Sequence, residues 1–483
     1  MRHPVSVRDV ARNIFATALS AAMLYFGTGL HPIWWLTWLA PLPVLLISAY
    51  TRPMAAFGFA ALAWFVGGLN FWHYLHDLIG LPTPILLLIF LEPAFLFGVA
   101  VLIYRTFVRR GAVWLPSLCI PAVWVSLEYL MSVNSPHSTF GSVAYSQMDF
   151  LPVIQLASFT GVSGITFCLF LLPSATASLI SGRGSRAERN TLAAVVAGLF
   201  VAVIGFGSWR LHSAPAVETS VRIALLASDE HQNIFPDTDA RAIQLLAKYH
   251  QRIREAERGL IFVLPEKIAI VSDDATVQID TLFKEVADHA NASIVTGLDR
   301  GTQTRRWNEA RVYSPGGKVR AYDKHHMIPG IEDVDQPGTT RTVWREPFGV
   351  LGVQICKDMD FPALSRHYGR DGVGLLLVPA WDFNIDGWLH GRMAIMRGVE
   401  SGFTIARTAK QGLLTISDNR GRVLAERSSA AAPFSMLLAS APVAHSDTIY
   451  ARCGDWFAWL NIAALLAIIA TALLQRSRSA SAR

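Results

Sequence analysis

Gly349-Val350-Leu351-Gly352-Val353-Gln354-Ile355-Cys356 is an apolar run that stops at Lys357-Asp358 and is followed closely by Pro362. Its length and aliphatic content predict a buried strand, and the segment around 363–370 predicts a helix. Strand feeding helix is the repeating unit of an α/β domain. The same alternation extends outward in both directions. Residues 221–227 form a short apolar run, and 240–258 read as a polar amphipathic helix. A second buried strand at 260–264 ends in Pro265-Glu266. A helix is expected over 277–290, a strand over 293–297, and a hairpin over 310–322 turning at Pro315-Gly316-Gly317. A further apolar strand covers 375–378, so one α/β domain of about 230 residues is expected between Val217 and Ala444.

The rest of the chain is of a different kind. Of its 483 residues, 52% are hydrophobic and only 16% charged, with a mean hydropathy of +0.35. Soluble proteins carry about 25% charged residues, so a soluble enzyme, a disordered chain and a fibrous chain are all excluded. Four cysteines cannot build a disulfide framework. Apolar spans are expected near 10–30, 32–50, 54–75, 83–104, 113–131, 153–181, 190–209 and 455–474, most of them near the roughly 20 residues that cross a bilayer.

Arginines test the count. Arg2, Arg8 and Arg12, then Arg52, then Arg105, Arg109 and Arg110, then Arg183, Arg186 and Arg189 fall in alternate connections, and Arg476, Arg478 and Arg483 close the chain. The intervening connections at 30–32, 76–82 and 132–152 hold no Lys or Arg. The positive-inside rule then places both termini in the cytoplasm and the α/β domain on the outer side. The net charge of +6 reports this orientation rather than nucleic-acid binding. The expected organisation is a seven-helix bundle at 1–212, a catalytic domain at 213–450, a closing span at 451–475 and a disordered cytoplasmic tail at 476–483.

Three residues stand where chemistry is done. Cys356 ends its strand at a strand-to-helix turn, where backbone N–H groups can stabilise an oxyanion. An isolated cysteine is more often a buried structural residue, and a nucleophilic one needs a base or cation close by. Glu266 ends a strand in apolar company and suits a general base; after Pro265 it equally suits a helix start. Lys324, in Tyr322-Asp323-Lys324-His325-His326, equally suits a solvated loop. The adjacent histidines diverge on a strand and no third ligand is spaced to join them, so no metal is expected. Within the spans, Glu92 beside Pro93 suggests a kinked helix lining a cavity, and Glu128 is a costly buried acid. Trp34, Trp35 and Trp38 read as an interfacial belt, Asn70 is a candidate to reach the domain, and Cys119 and Cys168 read as inert.

The order strand–Pro–Glu, hairpin–Tyr–x–Lys–His, strand–Cys–x–Asp resembles the carbon–nitrogen hydrolase (nitrilase) superfamily. That resemblance implies an αββα sandwich with a catalytic triad of Glu266, Lys324 and Cys356. Seven spans, an exported domain and a closing eighth span further resemble the bacterial apolipoprotein N-acyltransferases. Gly141–Gln147, Thr160-Gly161-Val162-Ser163-Gly164, Lys324-His325-His326-Met327-Ile328-Pro329 and Tyr450-Ala451-Arg452-Cys453-Gly454-Asp455-Trp456 resemble strings of that family, with Glu332 where it keeps an essential Glu.

The resemblance implies acyl transfer from a phospholipid, through a thioester on Cys356, to the amine of a diacylglyceryl-cysteine lipoprotein at the bacterial inner membrane. Glu332 and Asp358 would support the triad, and no cofactor is needed. The chain departs from the family's Cys-Tyr-Glu at Cys356-Lys357-Asp358, from Phe-Gly-Glu at Gly330-Ile331-Glu332, and from Asn-x-Gly at Lys410-Gln411-Gly412. These departures leave open a membrane-anchored amidase or nitrilase, or another amine acceptor. A non-catalytic transporter or scaffold is a more distant alternative.

Overall fold

The structure is a computed structural model. It describes residues 6–213, 219–229, 236, 238–302 and 304–481, with 475–481 as backbone only. The chain divides into two compact units, one of Met1–Val133, Gly141–His212 and Asp455–Arg483, the other of Asn134–Phe140 and Ser213–Gly454.

The first unit is helical. Val7–Gly27, Pro53–Phe71, Thr83–Arg109, Trp114–Asn134, Val162–Ser181, Arg186–His212 and Trp456–Leu474 are each long and apolar enough to cross a membrane. The continuous span expected over 32–50 is replaced by two short helices, Trp34–Thr37 and Leu42–Ser48. Pro41 and Pro43 at that junction lack the amide donors that a continuous helix needs. The span expected over 153–181 is also interrupted: Leu151–Ile154 and Ala157–Thr160 precede Val162–Ser181, and Gly161 between them has φ = 65°. The tail expected to be disordered continues the last helix to Ser481. Its Arg and Ala residues favour helix over coil. Residues 482 and 483 lie outside the described residues.

Of the tryptophans read as an interfacial belt, Trp38 is buried and donates to Gln147 Oε1 at 2.7 Å, while Trp35 is exposed. Asn70 donates to Tyr25 O (3.0 Å) and Thr28 Oγ1 (2.9 Å) within the bundle. Glu92 is exposed on its helix.

The second unit is a four-layer αββα sandwich. Its strands are β1 Ser220–Ala227, β2 Ile261–Val263, β3 Ile270–Val271, β4 Ser293–Gly301, β5 Arg306–Tyr313, β6 Arg320–Asp323, β7 Thr342–Glu346, β8 Gly349–Val353, β9 Leu375–Trp381, β10 Thr404–Lys410, β11 Leu413–Ser417, β12 Val423–Ser428 and β13 Ser435–Pro442. One sheet has the order β13-β1-β2-β4-β5-β6 with β3 on β4, and the other β12-β11-β10-β9-β8-β7.

Strand alternation builds the layers. Ile223 and Leu225 of β1 join Leu351 and Val353 of β8 and Leu375 and Leu377 of β9 in the core between the sheets. Ala224 and Leu226 face the other way, onto Leu246, Tyr249, Ile279 and Phe283 of helices Asp239–Glu255 and Asp273–Ala290. Leu376 and Val378 likewise pack on Leu364 and Tyr368 of Pro362–Arg370 and on Ala394 of Gly387–Ser401. Each large aliphatic side chain so buried contributes about 1.5–3 kcal/mol. Because β1, β2 and β4 run parallel, as do β8, β9 and β10, their C-terminal ends lie on one side of each sheet.

Candidate active site

Glu266 leaves the C-terminal end of β2. The Leu264 amide still donates to Val295 O at 2.8 Å, but the Glu266 amide donates to Ala380 O of β9 at 3.2 Å. The glutamate therefore sits where the two sheets are tied together. Gly297 makes the passage possible, since a Cβ there would lie 2.5 Å from Pro265 O and 2.6 Å from Glu266 Cα. Lys324 leaves the end of β6, its amide bonded to Asn308 O at 2.8 Å. Its ammonium is completely buried and donates to Glu266 Oε1 at 2.7 Å and to Glu332 Oε1 and Oε2 at 3.0 and 2.8 Å.

Cys356 opens the 3-10 turn Cys356–Asp360 beyond β8 with φ = 40°. A non-glycine residue in that left-handed region costs on the order of 1–3 kcal/mol and persists only where its surroundings over-determine it. Asp358 supplies that determination. Its buried carboxylate accepts from the Ile355 amide (3.1 Å), Tyr322 Oη (2.7 Å), the amides of His325 (3.1 Å) and His326 (3.0 Å), and His326 Nδ1 (2.9 Å). One carboxylate thus joins the turn that carries Cys356 to the loop that follows Lys324. His326 stacks on Phe361 and His325 on Tyr322, so both imidazoles pack against rings. Among the described residues no group of His, Cys, Asp or Glu side chains is placed to hold a metal ion.

The thiol of Cys356 donates to Trp381 O at 3.5 Å. Burial pushes it well above the ordinary thiol range, Glu266 and Asp382 add to the rise, and Lys324 and Arg407 oppose it. Burial would pull the Lys324 ammonium down, but Glu266, Glu332 and Cys356 hold it far above the usual lysine range. Glu332, despite the same burial, is drawn down to about 2 by Lys324 and Lys267. The resting arrangement is a neutral thiol facing an ammonium gripped by two carboxylates. An electrophile meeting the sulfur would find a proton acceptor, and charged and polar donors for the negative oxygen, within one buried cluster.

The structure therefore brings Glu266, Lys324, Cys356 and Glu332 together, and Asp358 holds two of their loops. Several neighbours escaped sequence reading. Asn308 on β5 donates from Nδ2 to Glu266 Oε1 (2.6 Å) and Glu332 Oε1 (2.9 Å). Arg407 on β10 forks onto Asp382, with Nη1 to Oδ2 at 2.9 Å. Lys267 pairs with Glu332 at 3.0 Å. Lys357 donates to Asp360 Oδ2 and His137 Nδ1, both at 3.2 Å, and Thr139 donates to Asp360 O at 2.7 Å, so residues 137–139 clasp the nucleophile turn. Only inward alternation on β5, with Ala310 and Val312, marks Asn308 in the sequence; Arg407 shares the helix-facing side of β10 with Ile405, and no pattern there marks it. Nothing in the sequence marks the clasp, which comes from 220 residues upstream.

Two family models match. The one for the apolipoprotein N-acyltransferase N-terminal domain covers residues 20–175, and the one for carbon-nitrogen hydrolase covers 240–454. The apolipoprotein N-acyltransferase of Geobacter metallireducens is 26% identical over 522 residues, 96% of each chain. That of Thermotoga maritima is 23% identical over 395 residues, 76% of this chain and 72% of its own. Among solved structures, an amidase from Nesterenkonia sp. aligns with 48% of this chain and 94% of its own, at 20% identity and a TM-score of 0.40. Both halves of the architecture, in one order along one chain, are thus similar to those of the apolipoprotein N-acyltransferases.

Proposed function

We propose that the chain moves a fatty acyl group from the sn-1 position of a phospholipid, through a thioester on Cys356, to the α-amine of a diacylglyceryl-cysteine apolipoprotein. The observation that carries this is the buried Lys324–Glu266 contact at 2.7 Å, converging on a strained cysteine in a chain similar to this family. Glu266 accepts the Cys356 proton as sulfur attacks the ester carbonyl. Lys324 and the amides of the 3-10 turn stabilise the tetrahedral oxyanion, each donor contributing on the order of 3 kcal/mol. Collapse expels the lysophospholipid alkoxide, which takes the proton back from Glu266. The lipoprotein amine then attacks the thioester and passes its proton to Glu266, which hands it to the departing Cys356 sulfur as the amide is released. Splitting the reaction at a thioester lets two bulky lipids use one site in turn.

In this reading the protein lies in the bacterial inner membrane with both termini cytoplasmic and the catalytic unit on the periplasmic side. Arg12 and Arg52 mark one side of the membrane, so the chain between them crosses twice and the broken segment Trp34–Ser48 carries the second crossing.

Acyl-enzyme trapping tests the chemistry. Full-length protein in detergent is incubated with phospholipid labelled in its sn-1 chain, beside Cys356→Ala. The expected result is a hydroxylamine-labile label on the native chain alone. A folded native chain without label overturns the phospholipid reading. A labelled chain that releases only free fatty acid in the presence of a diacylglyceryl peptide assigns it as a hydrolase.

A further inference from the structure

Glu332 is shared by two lysines. Lys324 Nζ approaches it at 2.8 and 3.0 Å, and Lys267 Nζ reaches Oε1 at 3.0 Å. Lys267 directly follows Glu266 and is the second residue of this site in the left-handed region, with φ = 46°. Its side chain is 6% exposed, and it is fixed by ion pairs to Asp335, Glu332 and, at 3.7 Å, Asp299 of β4. Arg306 of β5 closes the cluster at 3.5 Å from Asp299 and 3.4 Å from Asp335.

The charges explain the arrangement. Glu266 and Glu332 both lie on the single ammonium of Lys324, which alone leaves one unbalanced negative charge in a dry site. A buried, unbalanced carboxylate takes up a proton or pulls its counter-ion toward itself. Either change would spoil the triad: the first costs Glu332 its hold, the second draws Lys324 from Glu266.

We propose that Lys267 is a positioning residue of the catalytic centre, neutralising Glu332 so that the Lys324 ammonium remains shared with Glu266 and its field remains on the Cys356 thiol. The groups facing that thiol are Glu266, Lys324, Arg407 of β10 and Asp382 beyond β9. Those facing Lys267 are Glu332, Asp299, Asp335 and Lys324. Loss of the Lys267 charge makes the cluster more negative, and thiolate formation at Cys356 then requires a higher pH. The proposal builds on Cys356 as nucleophile but not on any lipid substrate.

The test is the pH dependence of Cys356 alkylation by iodoacetamide, followed by mass spectrometry of the Cys356 peptide in detergent-solubilised full-length protein. It needs no acyl donor, so its outcome is independent of whether phospholipid is the substrate. The midpoint for Lys267→Met is expected about one pH unit above that of the native chain. In Lys267→Met/Asp335→Asn, where a compensating negative charge is also removed, at least half of that rise is expected to be lost. An unmoved midpoint in the single variant, or an equal rise in both, overturns the proposal. Unfolding moves the midpoint the other way, toward the free-thiol value of about 8.5. In that event Asp335→Asn alone decides: a midpoint lowered but still above the value the same chain reaches in denaturant supports the proposal, and an unmoved midpoint, or one equal to the denatured value, overturns it.

Discussion

Two glutamates, half-buried Glu128 in one unit and buried Glu332 in the other, are satisfied in opposite ways. In the helical unit, Glu128 accepts from Trp124 Nε1 (3.2 Å), Ser142 Oγ (2.9 Å), the Val143 amide (3.0 Å) and Thr166 Oγ1 (2.7 Å). Every donor is neutral, and among the described residues no lysine or arginine pairs with it. In the catalytic unit, Glu332 takes two ammoniums together with the Asn308 amide and the Ile328 backbone. Neutral donors anchor a carboxylate to helices and turns. Cations make it part of a charge balance that a reacting thiol can feel. One acid fastens structure, the other sets an electric field.

The sharpest break in that comparison should come from the triad. Cys356→Ala and Glu266→Gln are expected to reduce acyl-enzyme formation by on the order of 10³-fold or more, because triad members act as a unit. Detergent thermal melts of Cys356→Ala should stay near the native value.

Next come the two glutamates themselves. Glu128→Leu strands four donors and should lower stability by roughly 2–4 kcal/mol in thermal melts, with turnover per folded molecule retained. Glu332→Gln should do the reverse, losing most acyl transfer while the chain still folds. A Glu128→Leu chain that folds normally but has no activity would erase the distinction.

Acid stability separates the pair further. Glu332 has its pKa drawn down to about 2, below the unfolded value of about 4.3. Its stabilisation is therefore present above about 4.3 and is lost as pH falls through that value toward 2. Acid titration of the folded state should show this loss in the native chain, and Glu332→Gln should lack it. The smallest effect is expected at the clasp: Thr139→Val removes the 2.7 Å bond to Asp360 O and should cost about 1 kcal/mol, with a several-fold loss in Cys356 acylation rate.

Much of the site is legible in sequence because strand ends are legible. Glu266 and Cys356 each terminate an apolar run, and such ends lie at the sheet edges where parallel strands deliver their last side chains. Lys324 was marked by the hairpin before it, and Glu332 and Asp358 by family resemblance. The expected strand 349–356 stops at Val353; its last residues leave the ladder so that Cys356 can take its positive φ. Lys267 reads as an ordinary charged neighbour of Glu266, and only folding shows that it faces three carboxylates.

Hydrophobic periodicity, a local property, was enough to separate apolar helices from an α/β domain, and arginine placement is what the proposed orientation rests on. Proline pairs at 41 and 43 broke one expected helix, also for a local reason. What only the tertiary structure decided is which charges share a site. Lys267 follows β2, Asn308 lies on β5, Glu332 and Asp335 share the loop between β6 and β7, and Thr139 lies 221 residues before the Asp360 carbonyl it holds. Electrostatic balance depends on distance through space and on exclusion of water, and neither quantity is written along the chain.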